Sequence, residues 1–291
     1  MLAGVFGVAG CVARRPAEVP AEWRVWQEGR RESIAGTNGW MTLAGLHWLR
    51  EGDQGIGSDP TNAVVLPAGK APASVGILTR VGSTVRFRAA AGAGVLADGV
   101  PLVERELVSD LDGAPTRLQV GHVVFWVLDR GERMGIRVRE PGSAVQRGFS
   151  GLDYFPYAPE WRVAGRFEPY ADPGVLGVSD SAGGRQELRA VGDLVFEREG
   201  KEYRLQAVEE KGESDLFVIF RDRTAGDTTY ASGRFLYVRR PEKGDRVWVD
   251  FNRAYSPPCA FTPYATCPIP PRRNWLPVEV RAGERKPAVH P

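Results

Sequence analysis

Chemically reactive side chains are concentrated in the C-terminal string from Asp250 to Cys267, which carries a carboxylate, an amide, a guanidinium, phenols and thiols. A purely structural segment rarely contains so many polar groups, because each of them must be hydrogen-bonded if it is buried. We expect this string to converge with an upstream Asp–Thr–Arg group on one rim of a β unit and to bind a small or extended ligand there. The alternatives are that these groups tie loops to the ends of a sheet, or that they carry out catalysis. The predicted ligand-binding residues are Asp222, Thr224, Arg234, Asp250, Asn252, Arg253, Tyr255 and Tyr264.

Two cysteines, Cys259 and Cys267, lie within this string in a segment rich in proline and aromatic residues. In an exported protein, two neighbouring cysteines most simply form one disulfide. The alternatives are a nucleophilic thiol, which needs an activating base, and a zinc site, which needs two further ligands. No histidine is close in sequence to supply them, so we predict a disulfide, and we predict neither a metal nor a cofactor.

Prolines interrupt the stretch from Tyr255 to Pro271 so often that it cannot pair as an interior strand. We expect an extended loop on the surface, and loops of this length in compact domains are usually functional. The disulfide would hold the rings of Phe261 and Tyr264 rigidly at the tip of that loop, which lowers the entropy lost on binding.

Of the three histidines in the chain, His47 alone lies in a motif-like segment, the apolar run from Leu43 to Leu49. It is the candidate general base for an envelope hydrolase that uses a serine or a thiol as nucleophile. Such an active site would lie between two β units, where His47 reaches its partner. The alternative is a core histidine that is hydrogen-bonded to the backbone. The sequence does not decide whether the protein is an enzyme.

The elements that must position these groups follow from the composition. The chain has 291 residues, and its 35 glycines and 22 prolines favour many short strands over long helices. Lys and Arg number 38 against 36 Asp and Glu, which gives a net charge of +2. A nearly neutral chain has no electrostatic reason to bind nucleic acid or an anionic membrane.

Alternation of apolar and polar residues recurs along the chain with turn signals between, at a spacing of about ten residues. Glu199 and Gly200 lie between two such stretches and predict a hairpin turn. Residues 21–35 instead have helical spacing, with two tryptophans and Ile34 on one face. We therefore predict a mostly β protein of two packed sandwich-like or barrel-like units, preceded by a short N-terminal helix. The expected parts are a signal and tether (1–20), the helix with a first β unit (21–145), and a second β unit with the proline-rich and cysteine-rich loop (146–291).

The N-terminus indicates a compartment. Residues 1–10 are apolar or small, and Val8-Ala9-Gly10-Cys11 fits the bacterial lipobox, in which the cysteine becomes the lipidated first residue. No Lys or Arg precedes Cys11, whereas a secretory signal has a positive n-region, so we expect the true start to lie upstream. The alternative is an apolar N-terminus with a chance cysteine. We predict a periplasmic or cell-envelope lipoprotein that meets the membrane only through its lipid anchor.

The segment from Gly55 to Asn62, with the apolar residues 64–66 after it, resembles the start of a forkhead-associated domain. In that family an asparagine–glycine turn comes later, and Ala97-Asp98-Gly99 stands in its place. Ser58 replaces the arginine that binds phosphate, and this removes the bidentate contact on which such recognition depends. The resemblance implies a β-sandwich scaffold without phosphopeptide binding.

A further resemblance is carried by the strings 39–49, 57–60, 151–156, 233–236 and, above all, 250–268. From about Trp23 onward the chain resembles the bacterial domain-of-unknown-function family 1684, which implies no mechanism because the family has no assigned biochemistry. The leading hypothesis is therefore the binding of a small or extended ligand at the cell envelope. The alternatives are an envelope hydrolase and a structural or assembly lipoprotein that contacts a protein partner. Neither the ligand nor the oligomeric state follows from the sequence.

Overall fold

The computed structural model describes residues 18–111 and 113–288. The predicted lipidation site, Cys11, lies outside the described residues, as does His290. Within the described ranges, no helix combines the length and the apolar character that crossing a lipid bilayer requires.

Helix α1 spans Ala21–Ala35, as the sequence predicts. Its buried residues are Trp23, Arg30 and Ile34, and their spacing places all three on one face of the helix. The helix ends before Gly36, whose backbone is extended. An arginine therefore lies on the face that packs against the rest of the protein.

The first half of the chain forms two sheets. Their strand orders are β1-β11-β10-β9-β6-β7 and β3-β2-β4-β5-β8. The strands are β1 Leu43–Trp48, β2 Gly52–Gly57, β3 Val64–Val65, β4 Gly76–Val81, β5 Thr84–Ala89, β6 Leu96–Ala97, β7 Val100–Pro101, β8 Glu104–Leu107, β9 Leu118–Val120, β10 Val123–Arg130 and β11 Arg133–Arg139.

One hydrophobic core joins these two sheets. Phe87 of β5 and Phe125 of β10 meet edge to face, with ring centroids 6.0 Å apart. Ile56, Leu78 and Ile136 are fully buried in the same cluster. The alternation of buried and exposed residues along β5 is what a sheet with one face on a core requires.

The second half of the chain forms a third, antiparallel sheet in the order β16-β15-β14-β13-β12-β17. Its strands are β12 Arg162–Ser179, β13 Arg185–Arg198, β14 Lys201–Glu209, β15 Leu216–Phe220, β16 Arg234–Val238 and β17 Arg246–Asp250. The remaining helical pieces are α2 Ala144–Arg147 and the 3-10 turns Trp40–Thr42, Pro159–Trp161, Phe251–Arg253, Pro258–Ala260 and Arg272–Asn274.

A tight turn at Glu199 and Gly200 connects β13 to β14, as predicted. Both residues have positive φ angles, 53° and 71°, which a two-residue hairpin turn with the right twist requires. At one edge of the sheet, β12 pairs with β17, and Ala164 lies opposite Trp248. The mostly β fold with an N-terminal helix is thus confirmed, while the division into parts at residues 20 and 145 stays a prediction.

The segment 255–271 differs from the surface loop that the sequence suggests. Phe261 is buried, and it packs with Ile34 and Met41 in a third hydrophobic cluster, so its ring is not held at a loop tip. The prolines do exclude a regular strand, but the apolar side chains between them draw the segment inward. Its backbone is bonded instead by a 3-10 turn and by single hydrogen bonds such as Ile269 N–H to the Ser179 carbonyl oxygen.

Candidate functional site

Three of the predicted ligand-binding residues form a buried network. Arg234 is fully buried at the start of β16, and its Nη2 lies 3.3 Å from Asp222 Oδ1. The guanidinium also donates to the backbone carbonyl oxygens of Val280, at 2.8 Å, and Ala282. Asp222 Oδ2 accepts hydrogen bonds from the Thr224 hydroxyl and the Val280 N–H, both at 2.7 Å. These three residues lie together and face inward, and they tie the 280–282 segment to the sheet.

Asn252 is likewise buried and used internally. Its Oδ1 accepts from the Ala158 N–H at 2.9 Å, and its Nδ2 donates to the Ala158 carbonyl oxygen at 2.9 Å and to Asp250 Oδ1 at 3.0 Å. Its own carbonyl oxygen accepts from the Trp23 indole N–H at 2.9 Å. Asn252 therefore joins helix α1, the segment before β12 and the end of β17.

A second buried ion pair, which the sequence analysis missed, joins helix α1 to the C-terminal segment. Arg30 Nε lies 2.7 Å from Glu284 Oε1, and Glu284 Oε2 accepts from the Ser256 N–H at 2.9 Å. Burial disfavours the charge of Arg30, but the charge and hydrogen bond of Glu284 raise its pKa above the ordinary value. The guanidinium carbon also lies 4.2 Å from the centroid of the Tyr255 ring. The one feature of the sequence that could have indicated this ion pair was Arg30 itself, an arginine on the apolar face of the predicted helix.

An open groove of about 750 Å³ lies between helix α1, strand β17 and the 239–245 loop that precedes this strand. Three of the predicted residues line it: Asp250, Arg253 and Tyr255. None of the other lining residues was predicted as a site residue, although the charge-rich run between β16 and β17 was a visible signal. The cations that line the groove are Arg162, Arg239, Arg240, Lys243, Arg246 and Arg253, and the anions are Glu22, Glu213, Asp215, Glu242 and Asp250.

An exposed indole and two arginines without carboxylate partners form one end of this groove. Arg253 is already paired, since its Nη2 lies 3.5 Å from Glu22 Oε1. Among the described residues, no carboxylate oxygen lies within 4.0 Å of the Arg162 or Arg246 guanidinium. Instead, their guanidinium carbons lie 5.0 Å and 5.5 Å from the Trp248 ring centroid, and Trp248 is 45% exposed. This end can therefore offer both a ring surface and free donors.

Two stacked phenols form the inner wall of the groove. The rings of Tyr237 and Tyr255 have centroids 6.2 Å apart and planes inclined by 17°. The Tyr237 hydroxyl donates a hydrogen bond to the Glu210 carboxylate. Burial is the main cause that raises the pKa of both phenols well above the ordinary value. Both stay protonated at neutral pH, so they can donate hydrogen bonds but do not act as bases.

The predicted disulfide is absent from the structure, which holds Cys259 and Cys267 as buried free thiols. The Cys259 N–H donates to Cys267 Sγ at 3.2 Å. The hydrogen bond from the Cys267 thiol lowers the pKa of Cys259, and burial raises the pKa of Cys267. Packing and hydrogen bonds hold this segment without a covalent link: the Tyr230 hydroxyl donates to the Cys259 carbonyl oxygen at 3.1 Å, and the Cys267 N–H donates to Ser181 Oγ at 2.9 Å. In the described part of the chain, no group of three or more potential ligands is arranged to hold a metal ion.

Tyr264 does not line the groove. It is half-buried beside the first β unit, where its carbonyl oxygen accepts from Arg137 Nη2 at 3.4 Å. Arg137 lies on β11, and burial lowers its pKa to about 10. Nearby, Arg130 Nε donates to the Thr266 hydroxyl at 3.2 Å. The cysteine-containing segment therefore docks onto the first sheet.

His47 lies on β1, opposite Ile136 of β11, far along the chain from the other candidate residues. Burial is the main cause that lowers its pKa, and a hydrogen bond with the backbone of Val65 partly opposes this. Among the described residues, no serine, threonine or cysteine side chain is hydrogen-bonded to His47. The structure thus does not bring a nucleophile to this imidazole.

Comparison with known proteins covers parts of the chain. Residues 147–285 match the model of the family described as "Protein of unknown function (DUF1684)", so the predicted family resemblance applies to this segment. The solution NMR structure of an uncharacterised protein from Haloarcula marismortui is 34% identical over 49% of this chain and 80% of that chain, with a TM-score of 0.42. An FHA domain, from a study of phosphothreonine-dependent FHA domain interactions, is 20% identical over 32% of this chain and 92% of that chain, with a TM-score of 0.24. A TM-score this low gives the forkhead-associated resemblance no weight. No curated protein matches the chain.

Proposed function

We propose that the protein binds an elongated, negatively charged ligand in the groove between helix α1, the 239–245 loop and strand β17. The observation that carries this proposal is the exposed Trp248 ring with Arg162 and Arg246 beside it. A guanidinium matches a planar carboxylate or phosphate with two parallel hydrogen bonds. An exposed indole offers a large apolar surface on which a ring of the ligand can pack.

The size and lining of the groove support the same function. Its volume of about 750 Å³ falls within the range of about 300–1,000 Å³ that is usual for ligand sites. The stacked rings of Tyr237 and Tyr255 add aromatic surface along the inner wall. An acidic oligosaccharide combines rings with regularly spaced carboxylates, and it is therefore the ligand class that we favour.

Isothermal titration calorimetry with a galacturonate oligosaccharide tests this proposal, with a neutral glucose oligosaccharide of equal length as the ligand control. Trp248→Ala and the double variant Arg162→Gln/Arg246→Gln should each weaken binding by about tenfold or more, as central aromatic and arginine contacts commonly do.

Arg166→Gln is the matched protein control. Arg166 is paired in register with Arg246, but it forms ion pairs with Glu168 and Glu202 and does not line the groove. This variant should bind like the parent protein. Equal binding of the neutral and acidic sugars, or unchanged affinity of Trp248→Ala, would contradict the proposal.

We further propose that this binding takes place at the cell envelope, with the chain anchored through a lipid on Cys11. The support is the lipobox sequence Val8-Ala9-Gly10-Cys11 after an apolar stretch. Expression with the natural upstream region, followed by mass spectrometry of the N-terminal peptide, should find fatty acid on Cys11, and none when Cys11 is replaced by serine. An unlipidated cytosolic product would overturn the location and leave the groove proposal to its own test.

A further inference from the structure

A second exposed indole, away from the groove, lies beside two arginines. Trp275 is 38% exposed, and the guanidinium carbons of Arg272 and Arg221 lie 4.1 Å and 4.8 Å from its ring centroid. Arg223, also exposed, lies two residues beyond Arg221 in the segment that follows β15. Neither Trp275 nor any of these arginines lines the groove described above.

The buried ion pair of Asp222 is what turns these arginines outward. Asp222 points inward to Arg234, and neighbouring side chains along an extended segment point to opposite faces. Arg223 is correspondingly exposed, and Arg221 is half-buried beside the Trp275 ring. The segment is fixed in this orientation by the hydrogen bond from the Arg223 N–H to the Val278 carbonyl oxygen at 2.9 Å.

Asn274 fixes the other half of the surface in the same way. Its buried side chain accepts from the Gln206 N–H at 2.8 Å and donates to the carbonyl oxygens of Gln206 and Ile219, both at 2.9 Å. The residues on both sides of Asn274 are exposed. The Trp275 indole N–H is already used, since it donates to the Pro270 carbonyl oxygen at 3.2 Å. The ring is therefore preorganised and offers its apolar surface and edge rather than a donor.

The charge of this surface is not compensated. Among the described residues, no carboxylate oxygen lies within 4.0 Å of the guanidinium groups of Arg221, Arg223 or Arg272. The nearest carboxylate in sequence, Asp222, is buried and already paired with Arg234. Beside the indole, a shallow depression of about 280 Å³ is lined by Trp275, Leu276 and Pro277 together with the 221–223 segment.

We propose that this Trp275 surface, made of Arg221, Arg223, Arg272, Trp275, Leu276 and Pro277, docks an acidic peptide segment of a protein partner. The free guanidinium groups donate to carboxylates of the peptide, and the apolar depression takes one apolar side chain between them. Tryptophan and arginine are the residues that dominate the binding energy of protein interfaces. A combination of carboxylates with an adjoining apolar side chain is typical of a peptide and not of a glycan or a nucleic acid.

Fluorescence anisotropy tests this with a short labelled peptide in which Asp and Glu residues flank a single leucine. Trp275→Ala and Arg221→Gln/Arg272→Gln should each weaken binding by about tenfold or more, and added salt should weaken binding to the parent protein. The positions are on the surface, and circular dichroism and thermal unfolding establish that the variants keep their fold.

Matched controls make the result specific. Arg281→Gln removes an exposed arginine that is already paired with Glu279 at 2.8 Å, and Trp248→Ala removes the indole of the groove; both should bind the peptide like the parent. A peptide with lysine in place of the acidic residues should not bind. Equal loss in Arg281→Gln, equal binding by Trp275→Ala, or tighter binding of an acidic oligosaccharide at this surface would overturn the proposal.

Discussion

Replacing Asp222 by asparagine tests whether the buried Arg234 network is structural. The substitution keeps the side-chain volume but removes the negative charge that lies 3.3 Å from Arg234 Nη2. It also takes a charged acceptor from the Thr224 hydroxyl and the Val280 N–H. Since Arg234 has no access to solvent, water cannot replace the lost charge.

Removal of one partner from a buried ion pair costs about 3–5 kcal/mol, because the other charge stays buried without compensation. Arg234 keeps its hydrogen bonds to the carbonyl oxygens of Val280 and Ala282, so we expect the lower end, about 3 kcal/mol. At about 2–4 °C per kcal/mol for a domain of this size, the midpoint of thermal unfolding should fall by about 6–12 °C. Urea unfolding followed by tryptophan fluorescence measures the free energy directly.

A double-mutant cycle gives the decisive comparison. Arg234→Met alone should also be strongly destabilising, while Asp222→Asn/Arg234→Met should cost clearly less than the sum of the two single changes, because the pair is removed together. The exposed pair Arg239–Glu242 is the control, and Glu242→Gln should leave the stability nearly unchanged. Additive single effects, or an Asp222→Asn protein of normal stability that no longer binds the acidic oligosaccharide, would refute the structural role.

Three further predictions concern individual residues. Burial lowers the pKa of His47, so the unfolded state holds the proton more tightly, and the free energy of unfolding should fall as the pH drops below about 6.5. Urea titrations at about pH 5 and pH 8 measure this dependence, and His47→Gln should flatten it. An unchanged pH dependence in this variant would contradict the prediction. Alkylation of the denatured, unreduced protein followed by mass spectrometry should label both Cys259 and Cys267, whereas a disulfide-linked peptide would show the thiol state to be wrong. Gly283→Ala should lower the free energy of unfolding by more than about 1 kcal/mol, because φ is 77° and a Cβ would lie 2.3 Å from a backbone carbonyl oxygen. Gly142→Ala is the control: its φ is 76°, but a Cβ there meets open space, so the free energy should fall less. Equal destabilisation by the two substitutions would contradict the clash.

Local signals predicted the elements that depend on near neighbours in the chain. The helix over 21–35 follows from the spacing of its apolar face. The turn at Glu199 and Gly200 follows from a glycine, which tolerates a positive φ angle, between two strand-like stretches. Convergence of Asp222 with Arg234 was also foreseeable, since an acid and a base that enter a core must find partners. The sequence did not indicate that these two side chains face inward. Their hydrogen-bond partners include the backbone of residues 280–282, and no local pattern in the sequence connects that segment to them.

Long-range pairing limited the prediction elsewhere. Arg30 and Glu284 are 254 positions apart in the chain, and the sequence around each residue gives no indication that it pairs with the other. For Cys259 and Cys267, closeness in sequence indicated the contact but not its chemical form. The prolines of the same segment suggested that it lies on the surface. The segment instead packs inward, because burial of apolar side chains such as Phe261 stabilises that position where regular hydrogen bonding is lacking.

The residues from Asp250 to Tyr255 have two roles, one for side chains that point inward and one for side chains that line the groove. Asn252 points inward and anchors the turn through Ala158, whereas Asp250, Arg253 and Tyr255 line the groove. Tyr255 also rests on the Arg30 guanidinium, so the wall of the proposed binding site lies directly on a buried ion pair. A rigid wall loses little entropy when a ligand binds, which gives a physical reason to place so many internal polar contacts behind an open groove.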